Sequence, residues 1–260
     1  MTSAKGAADG MDAVHLIVFS RAPILGNTKT RLAAEVGAEA ARDFHAACLV
    51  DLLALCEEFR MRGGAPPEGQ RGGYRVGCHL FITPPGSEAD FRRAGVGWPQ
   101  SFAVHPQQGQ TLGRRMAAAL ETVLAGGPPG AGAILIGSDL PLLTGEHLAA
   151  AAAELEQADA VLGPTEDGGY YLVAVRQPQP ALFDLPAWGD CGVLPATLAR
   201  AREAGLSAAT IATLPDGDTL ADLARVRAHP LFAQLAGRRA VGLVAALLAR
   251  GGAKPATPGR

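Results

Sequence analysis

Residues 14–32 read VHLIVFSRAPILGNTKTRL, the stretch that indicates the fold of the whole chain. Its first seven residues are short, apolar and rich in β-branched side chains, which is typical of a strand buried on both faces of a sheet. A loop with Arg21, Lys29 and Arg31 follows, and helical spacing of apolar residues begins soon after it. The order of strand, basic loop and helix predicts the first unit of an α/β fold.

The alternation of strands and helices continues along the chain. Runs typical of strands occur at residues 76–83, 101–107, 132–141, 158–164, 168–175 and 207–215. Helical patterns occur at residues 37–60, 112–125, 145–157, 192–205 and 219–249. This order predicts β-α-β crossovers and a three-layer α/β/α fold with a mostly parallel central sheet. In such sheets ligands bind outside the carboxyl ends of the strands, so the site residues are expected there.

Length and composition are typical of one globular domain. The chain has 260 residues, of which 48% are hydrophobic. We expect a flexible leader at 1–13, a single domain at 14–249 and a disordered tail at 250–260. Residues 61–75 are rich in Gly, Pro and Arg without any period, so they are predicted to form a mobile insertion in this domain.

Charge and cysteine usage limit the classes of partner. The formal net charge is −2, so no overall field favours nucleic acid or an anionic membrane, and neither is expected as a partner. The four cysteines lack metal-ligand spacing and a disulfide pattern. The first residues lack the apolar core of a signal peptide, and the longest late apolar run is about half of a membrane span. A reduced, cytoplasmic setting is expected.

The basic loop is the first candidate site. Arg21, Lys29 and Arg31 follow the first strand, Pro23 stiffens the turn, and Gly26 permits close approach of the backbone to a ligand. Cations beside the N–H groups of a helix start suit the oxygens of a diphosphate or triphosphate. A solvated basic loop before a helix is the simpler alternative, because the stretch matches neither a P-loop nor a Rossmann fingerprint.

Acidic residues at two strand ends form the second candidate. Asp139 directly follows an apolar strand, and Thr144 is better placed than Asp139 to cap the next helix. Asp216 and Asp218 follow a later strand, and Thr219 begins the helix after them. Mg²⁺ is usually held by one or two carboxylates together with substrate phosphates. We therefore predict a divalent metal site made by Asp139 and an acid from a neighbouring strand.

The stretch GPTEDGGYYLVAV, residues 163–175, is the third candidate. Its acids and glycines suit an acceptor or sugar site, for which the candidates are Glu166, Asp167, Gly168, Gly169 and Tyr170. A hairpin turn made by the DGG sequence is an equally simple alternative. No nucleophile motif is found, and the six histidines are predicted to be structural or solvated.

Six blocks in this order resemble a known family: RAPILGNTKTRL, QGQTLGRRM, IGSDLPLLT, VLGPTEDGGYYLVAV, AW and DGDTLADL. The family consists of GT-A-like transferases associated with radical-SAM or selenodomain proteins, some of them assigned to arsenosugar biosynthesis as glycosyltransferases. The likeness covers about residues 14–227. More distantly, the chain is similar to 2-phospholactate guanylyltransferase and molybdenum-cofactor guanylyltransferase.

The resemblance implies a GT-A fold and a set of roles. Lys29 and Arg31 would meet the donor phosphates, and Asp139 and Asp218 would hold Mg²⁺ or Mn²⁺. The block QGQTLGRRM, which contains Arg115, has no assigned role in the family. We predict that Arg115 makes a further contact with the phosphates or the acceptor. A Lys is usual where this chain has Arg21, which keeps the charge but changes its geometry.

The predicted activity is metal-dependent transfer from a nucleotide-activated donor to a small acceptor. Glycosyl transfer from a nucleoside diphosphate sugar is placed first, with Asp167 as the residue that orients the acceptor or accepts its proton. Nucleotidyl transfer from a nucleoside triphosphate to a phosphorylated or phosphonate acceptor is the alternative that the basic loop favours. A non-enzymatic nucleotide-binding module is the third. Asp139→Asn is expected to abolish metal-dependent nucleotide binding with little loss of stability.

Overall fold

A computed structural model of the chain describes residues 10–65, 73–189 and 191–252. Seven strands lie in this part: β1 Ala13–Arg21, β2 Arg75–Thr83, β3 Phe102–Pro106, β4 Gly132–Gly137, β5 Ala160–Pro164, β6 Tyr170–Val175 and β7 Ala208–Thr210. The same part contains nine helices: α1 Thr30–Val36, α2 Ala38–Met61, α3 Glu88–Arg93, α4 Leu112–Gly126, α5 Gly145–Leu155, α6 Val193–Glu203, α7 Leu220–Ala228, α8 Leu231–Gln234 and α9 Arg239–Gly252.

The strands form one sheet in the order β3-β2-β1-β4-β6-β5-β7. All neighbouring strands are parallel except β6, which runs antiparallel to both β4 and β5. The predicted mostly parallel sheet is therefore confirmed. Because β6 is reversed, its first residue, Tyr170, lies on the side of the sheet where the carboxyl ends of the other strands lie.

Helices cover both faces of the sheet, which gives the predicted three layers. Val14, Leu16 and Val18 of β1 pack in one core cluster together with residues of α2, α5, α7 and α9. Ile17 and Phe19 face the opposite side, where α4 and α6 contribute to the second cluster. Both faces of β1 are buried, so its continuous apolar sequence is explained by its central place in the sheet.

Two sequence predictions are only partly correct. Of the predicted strand at 207–215, only Ala208–Thr210 forms a strand. The N–H groups of Ile211 and Leu214 still donate hydrogen bonds to carbonyl groups at the end of β5. The predicted helical stretch at 219–249 is divided into α7, α8 and α9. The first break lies at Pro230, which cannot donate the backbone hydrogen bond that a continuous helix needs.

The predicted flexible segments fall mainly on residues outside the described ones. The expected leader, insertion and tail include residues 1–9, 66–72 and 253–260, which the structure does not describe. At the described borders, β1 begins at Ala13 and α9 continues to Gly252, three residues past the expected end of the domain. Among the described helices, none is both long enough and apolar enough to cross a membrane.

Candidate functional site

The basic loop after β1 folds back across the ends of the strands. The Ala22 N–H donates to the Thr83 carbonyl at 2.8 Å, which ties the loop to the end of β2. The buried Thr28 hydroxyl donates to the carbonyls of Ala22 at 3.0 Å and Ile24 at 3.2 Å. Lys29 follows with φ 52° and ψ 49°, and in the described ranges it is the only non-glycine residue with positive φ. This backbone places Lys29 at the start of α1.

Lys29 is held between the two acids predicted to bind a metal. Its Nζ lies 3.2 Å from Oδ2 of Asp139 and 2.7 Å from Oδ1 of Asp218. The lysine side chain is 2% exposed, whereas the side chains of Asp139 and Asp218 are 38% and 42% exposed. The family resemblance implies that this lysine meets the donor phosphates, but in this structure its ammonium is paired with the acids.

His45 of α2 holds the other oxygen of Asp139. Its Nδ1 lies 2.7 Å from Asp139 Oδ1, and its Nε2 lies 2.9 Å from the Arg21 carbonyl oxygen. The imidazole is buried and therefore fixes the carboxylate relative to the basic loop. This histidine is one of the six predicted to be structural or solvated. The sequence signal for its role is a polar residue on the buried face of α2, between Phe44 and Cys48.

Electrostatics keeps the pair of Asp139 and Lys29 charged. Burial alone would raise the pKa of Asp139, but Lys29 and His45 outweigh burial and hold it well below its usual value. Burial alone would lower the pKa of Lys29, but Asp139 and Asp218 raise it above its usual value. Both shifts favour the ionised forms, so the ion pair persists at neutral pH.

A cavity of about 540 Å³ opens beside this ion pair. Its lining includes the four predicted phosphate-binding cations: Arg21, Lys29, Arg31 and Arg115. Arg115 comes from the first turn of α4, and its Nε donates to the Gly109 carbonyl at 2.9 Å. Gly26, also predicted to meet the phosphates, is exposed, adopts φ +78° and does not belong to the lining of this cavity.

A second cavity of about 320 Å³ shares Asp139 and Asp218 with the first. Three of the predicted acceptor residues line it: Asp167, Gly169 and Tyr170. Trp188 and Asp216 line it as well, and its lining within the described part of the chain contains no Lys, Arg or His. Burial, followed by the carboxylates of Asp218, Asp222 and Asp167, raises the pKa of Asp216 to about 7. The two cavities thus meet at the acids but differ in charge.

The predicted DGG turn is a hairpin turn and also part of the second cavity. It joins the antiparallel strands β5 and β6, and Asp167 Oδ1 accepts hydrogen bonds from the Thr165 hydroxyl at 2.5 Å and the Gly169 N–H at 3.1 Å. Glu166 instead pairs with Arg225 at 3.0 Å, and Gly168 packs against the backbone of Cys191. Neither of these two residues belongs to the lining of the two cavities.

The prediction that the second acid comes from a neighbouring strand is wrong. Asp218 follows β7, and β6 and β5 lie between β7 and β4, the strand before Asp139. The chain reaches Asp139 because its segment after β7 continues along the hairpin turn, where Leu214 forms an isolated bridge with Thr165. A loop, rather than strand adjacency, brings the two acids together. The predicted helix cap Thr144 is confirmed, and Thr219, predicted to begin the helix, caps it one residue before its first turn.

The two acids fit a divalent cation with oxygen ligands. Asp139 and Asp218 direct one oxygen each to a single positively charged centre, at present the Lys29 ammonium. Mg²⁺ is commonly held by one or two carboxylates and completed by substrate phosphates, and the basic cavity adjoins this point. Among the described residues, no group of three or more His, Cys, Asp or Glu side chains is arranged to hold a metal ion. A metal here therefore depends on ligands from a substrate or from water.

Comparison with known proteins supports this description of the fold. Residues 71–190 match the model of a family described as an uncharacterized protein conserved in bacteria, DUF2064. A crystal structure from Desulfovibrio desulfuricans G20, provisionally described as a nucleotide-diphospho-sugar transferase, is 26% identical with a TM-score of 0.76. The match covers 93% of this chain and 99% of that one. No curated protein sequence matches the chain.

A more distant solved structure has the same fold. A nucleotidyl transferase from Methanothermobacter is 14% identical, with a TM-score of 0.51, and the match covers 86% of this chain and 99% of that one. The predicted three-layer GT-A-like fold is thereby confirmed. The likeness does not distinguish between glycosyl and nucleotidyl transfer, because structures described with each name share the architecture.

Proposed function

We propose that this protein is a metal-dependent transferase that moves a sugar from a nucleoside diphosphate sugar to a small acceptor. The proposal depends mainly on one observation: a basic cavity and an acidic cavity meet at Asp139 and Asp218. A transferase of this kind needs a place for a phosphate-bearing donor, a place for an acceptor, and a cationic centre between them.

The first cavity suits the donor. Arg21, Arg31 and Arg115 line it together with Lys29, and guanidinium groups bind phosphate oxygens with strong, charge-assisted hydrogen bonds. Asp139 and Asp218 would hold Mg²⁺ or Mn²⁺ beside these phosphates. When bound, such a cation supplies positive charge for the oxygens of the diphosphate leaving group. His45 keeps Asp139 in place for this task.

The second cavity suits an acceptor that carries hydroxyl groups. Asp167 lines it and is held by its own turn, so its carboxylate is fixed in a position to orient an acceptor hydroxyl or to take its proton. Trp188 and Tyr170 supply apolar surface against which a sugar or another small ring would pack. Water is excluded from this side of the junction when the acceptor fills the cavity.

Nucleotidyl transfer from a nucleoside triphosphate is the second candidate. The four cations of the first cavity favour it, because a triphosphate carries more negative charge than a diphosphate. The second cavity argues against it, since its described lining has no Lys, Arg or His to meet a phosphate and adds Asp167 and Asp216 to the two acids that would hold the metal. We therefore place glycosyl transfer first.

Thermal unfolding against a ligand panel tests the proposal. Nucleoside triphosphates and nucleoside diphosphate sugars are each added with Mg²⁺ or with a chelator. A ligand at 100 times its dissociation constant adds about 2.7 kcal/mol to the stability, which shifts the midpoint visibly. We expect at least one nucleoside diphosphate sugar to stabilise the protein in the presence of Mg²⁺. If no nucleotide of either kind does so, the proposal is wrong.

Product analysis then separates the candidates. Release of a nucleoside diphosphate in the presence of acceptors supports glycosyl transfer, whereas release of pyrophosphate from a triphosphate supports the second candidate. Tight binding without turnover of any donor would favour the non-enzymatic module. Asp43→Asn is a suitable control throughout, because Asp43 is an exposed acid of α2 paired with Arg42.

A further inference from the structure

We propose that Lys29 occupies the metal position between Asp139 and Asp218 in the free protein. When a metal ion enters, the ammonium group of Lys29 moves away from the two acids and binds the donor phosphates instead. The inference rests on the proposed function only in assuming a donor that carries a diphosphate. It assigns to one residue two successive partners, the carboxylates and then the phosphates.

The geometry makes the metal and the lysine competitors. Nζ of Lys29 lies within 3.2 Å of one oxygen from each acid. A magnesium ion bound to the same oxygens would lie about 2.1 Å from each, so it would occupy the volume of the ammonium group. Two cations cannot share this position, because both need the space between the same two carboxylate oxygens and like charges repel strongly at short range. Direct binding of both acids to a metal therefore requires Lys29 to leave.

The loop leaves the lysine only a short distance to move. Thr28 fixes the backbone through two hydrogen bonds to carbonyls of the loop, and Lys29, the N-cap of α1, has a left-handed conformation. Its stem is thus anchored at the wall of the first cavity, which also contains Arg31. An ammonium group released from the acids remains in that cavity, where phosphate oxygens would be its next partners.

His45 prevents Asp139 from following the lysine. It binds the oxygen of Asp139 that Lys29 does not, and its second nitrogen is tied to the Arg21 carbonyl. Asp139 therefore keeps its place when the ammonium leaves. Binding of the metal and binding of the diphosphate are therefore coupled. A metal that binds alone displaces Lys29 from the acids without giving it a new partner, whereas a diphosphate that binds with the metal provides one.

Metal affinity measured on variants tests the competition. Binding of Mn²⁺ alone is followed by electron paramagnetic resonance for the wild type, Lys29→Met and Arg31→Met. Arg31→Met is the matched control, because Arg31 lines the same cavity and its replacement removes one positive charge two positions away from Lys29. We expect Lys29→Met to bind Mn²⁺ at least about tenfold more tightly than the wild type, and Arg31→Met to change the affinity less than about threefold.

Chemical labelling of the wild type gives a test that needs no variant. Lysine occurs in this sequence only at positions 5, 29 and 254, so acylation by an amine-reactive reagent is easily assigned by mass spectrometry. Lys29 should be protected in the free protein, since its side chain is 2% exposed. Saturating Mn²⁺ should increase its labelling, and pyrophosphate added with Mn²⁺ should protect it again.

Two results would overturn the inference. One is equal Mn²⁺ affinity, or no Mn²⁺ binding, in both the wild type and Lys29→Met. The other is Lys29 labelling that stays the same with and without bound Mn²⁺. Failure of the proposed function is a different result, namely no stabilisation by any nucleotide, and it would leave the competition between Mn²⁺ and Lys29 intact.

Discussion

At the scale of single residues, the backbone of Lys29 shows what the site requires. A left-handed conformation costs a non-glycine residue roughly 1 to 2 kcal/mol, so it persists only where the surroundings compensate for it. Here the compensation comes from the ion pairs with Asp139 and Asp218 and from the hydrogen bonds of Thr28. A glycine at position 29 would relieve the strain but would remove the cation, so the strain is a consequence of the site.

The Asp139→Asn variant tests the acid pair for both binding and stability. We expect it to lose Mg²⁺-dependent stabilisation by nucleotides, because an amide is a poor replacement for a carboxylate ligand. The structure changes the expectation of little stability loss: the variant leaves a buried ammonium with one acid and an imidazole facing an amide, at a cost of about 1 to 2 kcal/mol. Urea unfolding measures the cost, with Asp43→Asn as the control. Equal nucleotide binding by variant and wild type would contradict the role.

At the scale of elements, the turn between β5 and β6 depends on Gly168. Its φ is +90°, and a Cβ built there would lie 2.3 Å from the Cys191 carbonyl oxygen. Gly168→Ala therefore needs a shift of backbone and should lose more than about 2 kcal/mol of stability. Gly26→Ala is the matched control: φ is +78°, but a Cβ there meets nothing within 4 Å, so only about 1 kcal/mol is expected. Similar losses in both variants would show that contact with Cys191 is unimportant.

Three histidines on neighbouring strands make stability depend on pH. His79 of β2 lies between His15 of β1 and His105 of β3. Its Nε2 is 3.1 Å from His15 Nδ1, and its Nδ1 is 3.3 Å from His105 Nε2. Burial, together with the two other imidazoles, lowers the pKa of His79 to about 4. Below about pH 6.5, His79 binds a proton in the unfolded state but stays neutral in the folded state. The free energy of unfolding therefore falls as the pH drops from 6.5 to 4.

Replacing the central histidine should flatten this dependence. We expect the wild type to lose about 1 to 2 kcal/mol more than His79→Gln between pH 7 and pH 4.5, after allowance for the partial exposure of the ring. Urea unfolding at several pH values measures the difference, and His229→Gln serves as the control outside the row. Parallel pH profiles for wild type and His79→Gln would refute the explanation.

The sequence predicted most elements because their signals are local. Continuous apolar runs and helical spacing located β1, β4, α2 and α4 to within a few residues. The antiparallel direction of β6 and the short β7 depend on pairing with distant segments, which one-dimensional patterns do not contain. For the same reason the row of three histidines and the contact of His45 with Asp139 were not foreseen: their members are up to 94 positions apart in the sequence.

At the scale of the whole molecule, a nearly neutral chain carries a strongly polarised site. The formal net charge is −2, yet the first cavity gathers four cations and the second gathers four acids. The topology produces this separation: the end of β1, the loop after it and the first turn of α1 supply three of the cations, whereas the hairpin turn and the segment after β7 supply three of the acids. Asp139, after the central strand β4, stands where the two groups meet.

This polarity predicts how the protein discriminates between acceptors. Once the donor is known, a hydroxylated acceptor and its phosphate ester are compared as a pair. The ester brings negative charge next to Asp167 and Asp216, which the proposal leaves without a metal, and a repulsion of about 2 kcal/mol corresponds to at least a tenfold lower kcat/KM. The double variant with Asp167→Asn and Asp216→Asn should reduce the ratio of kcat/KM for the hydroxylated acceptor to kcat/KM for its ester. Glu166→Gln should leave it unchanged, because Glu166 pairs with Arg225 away from the cavity lining. A protein that prefers the ester would instead use the second cavity for phosphate, and nucleotidyl transfer would then become the better explanation of the site.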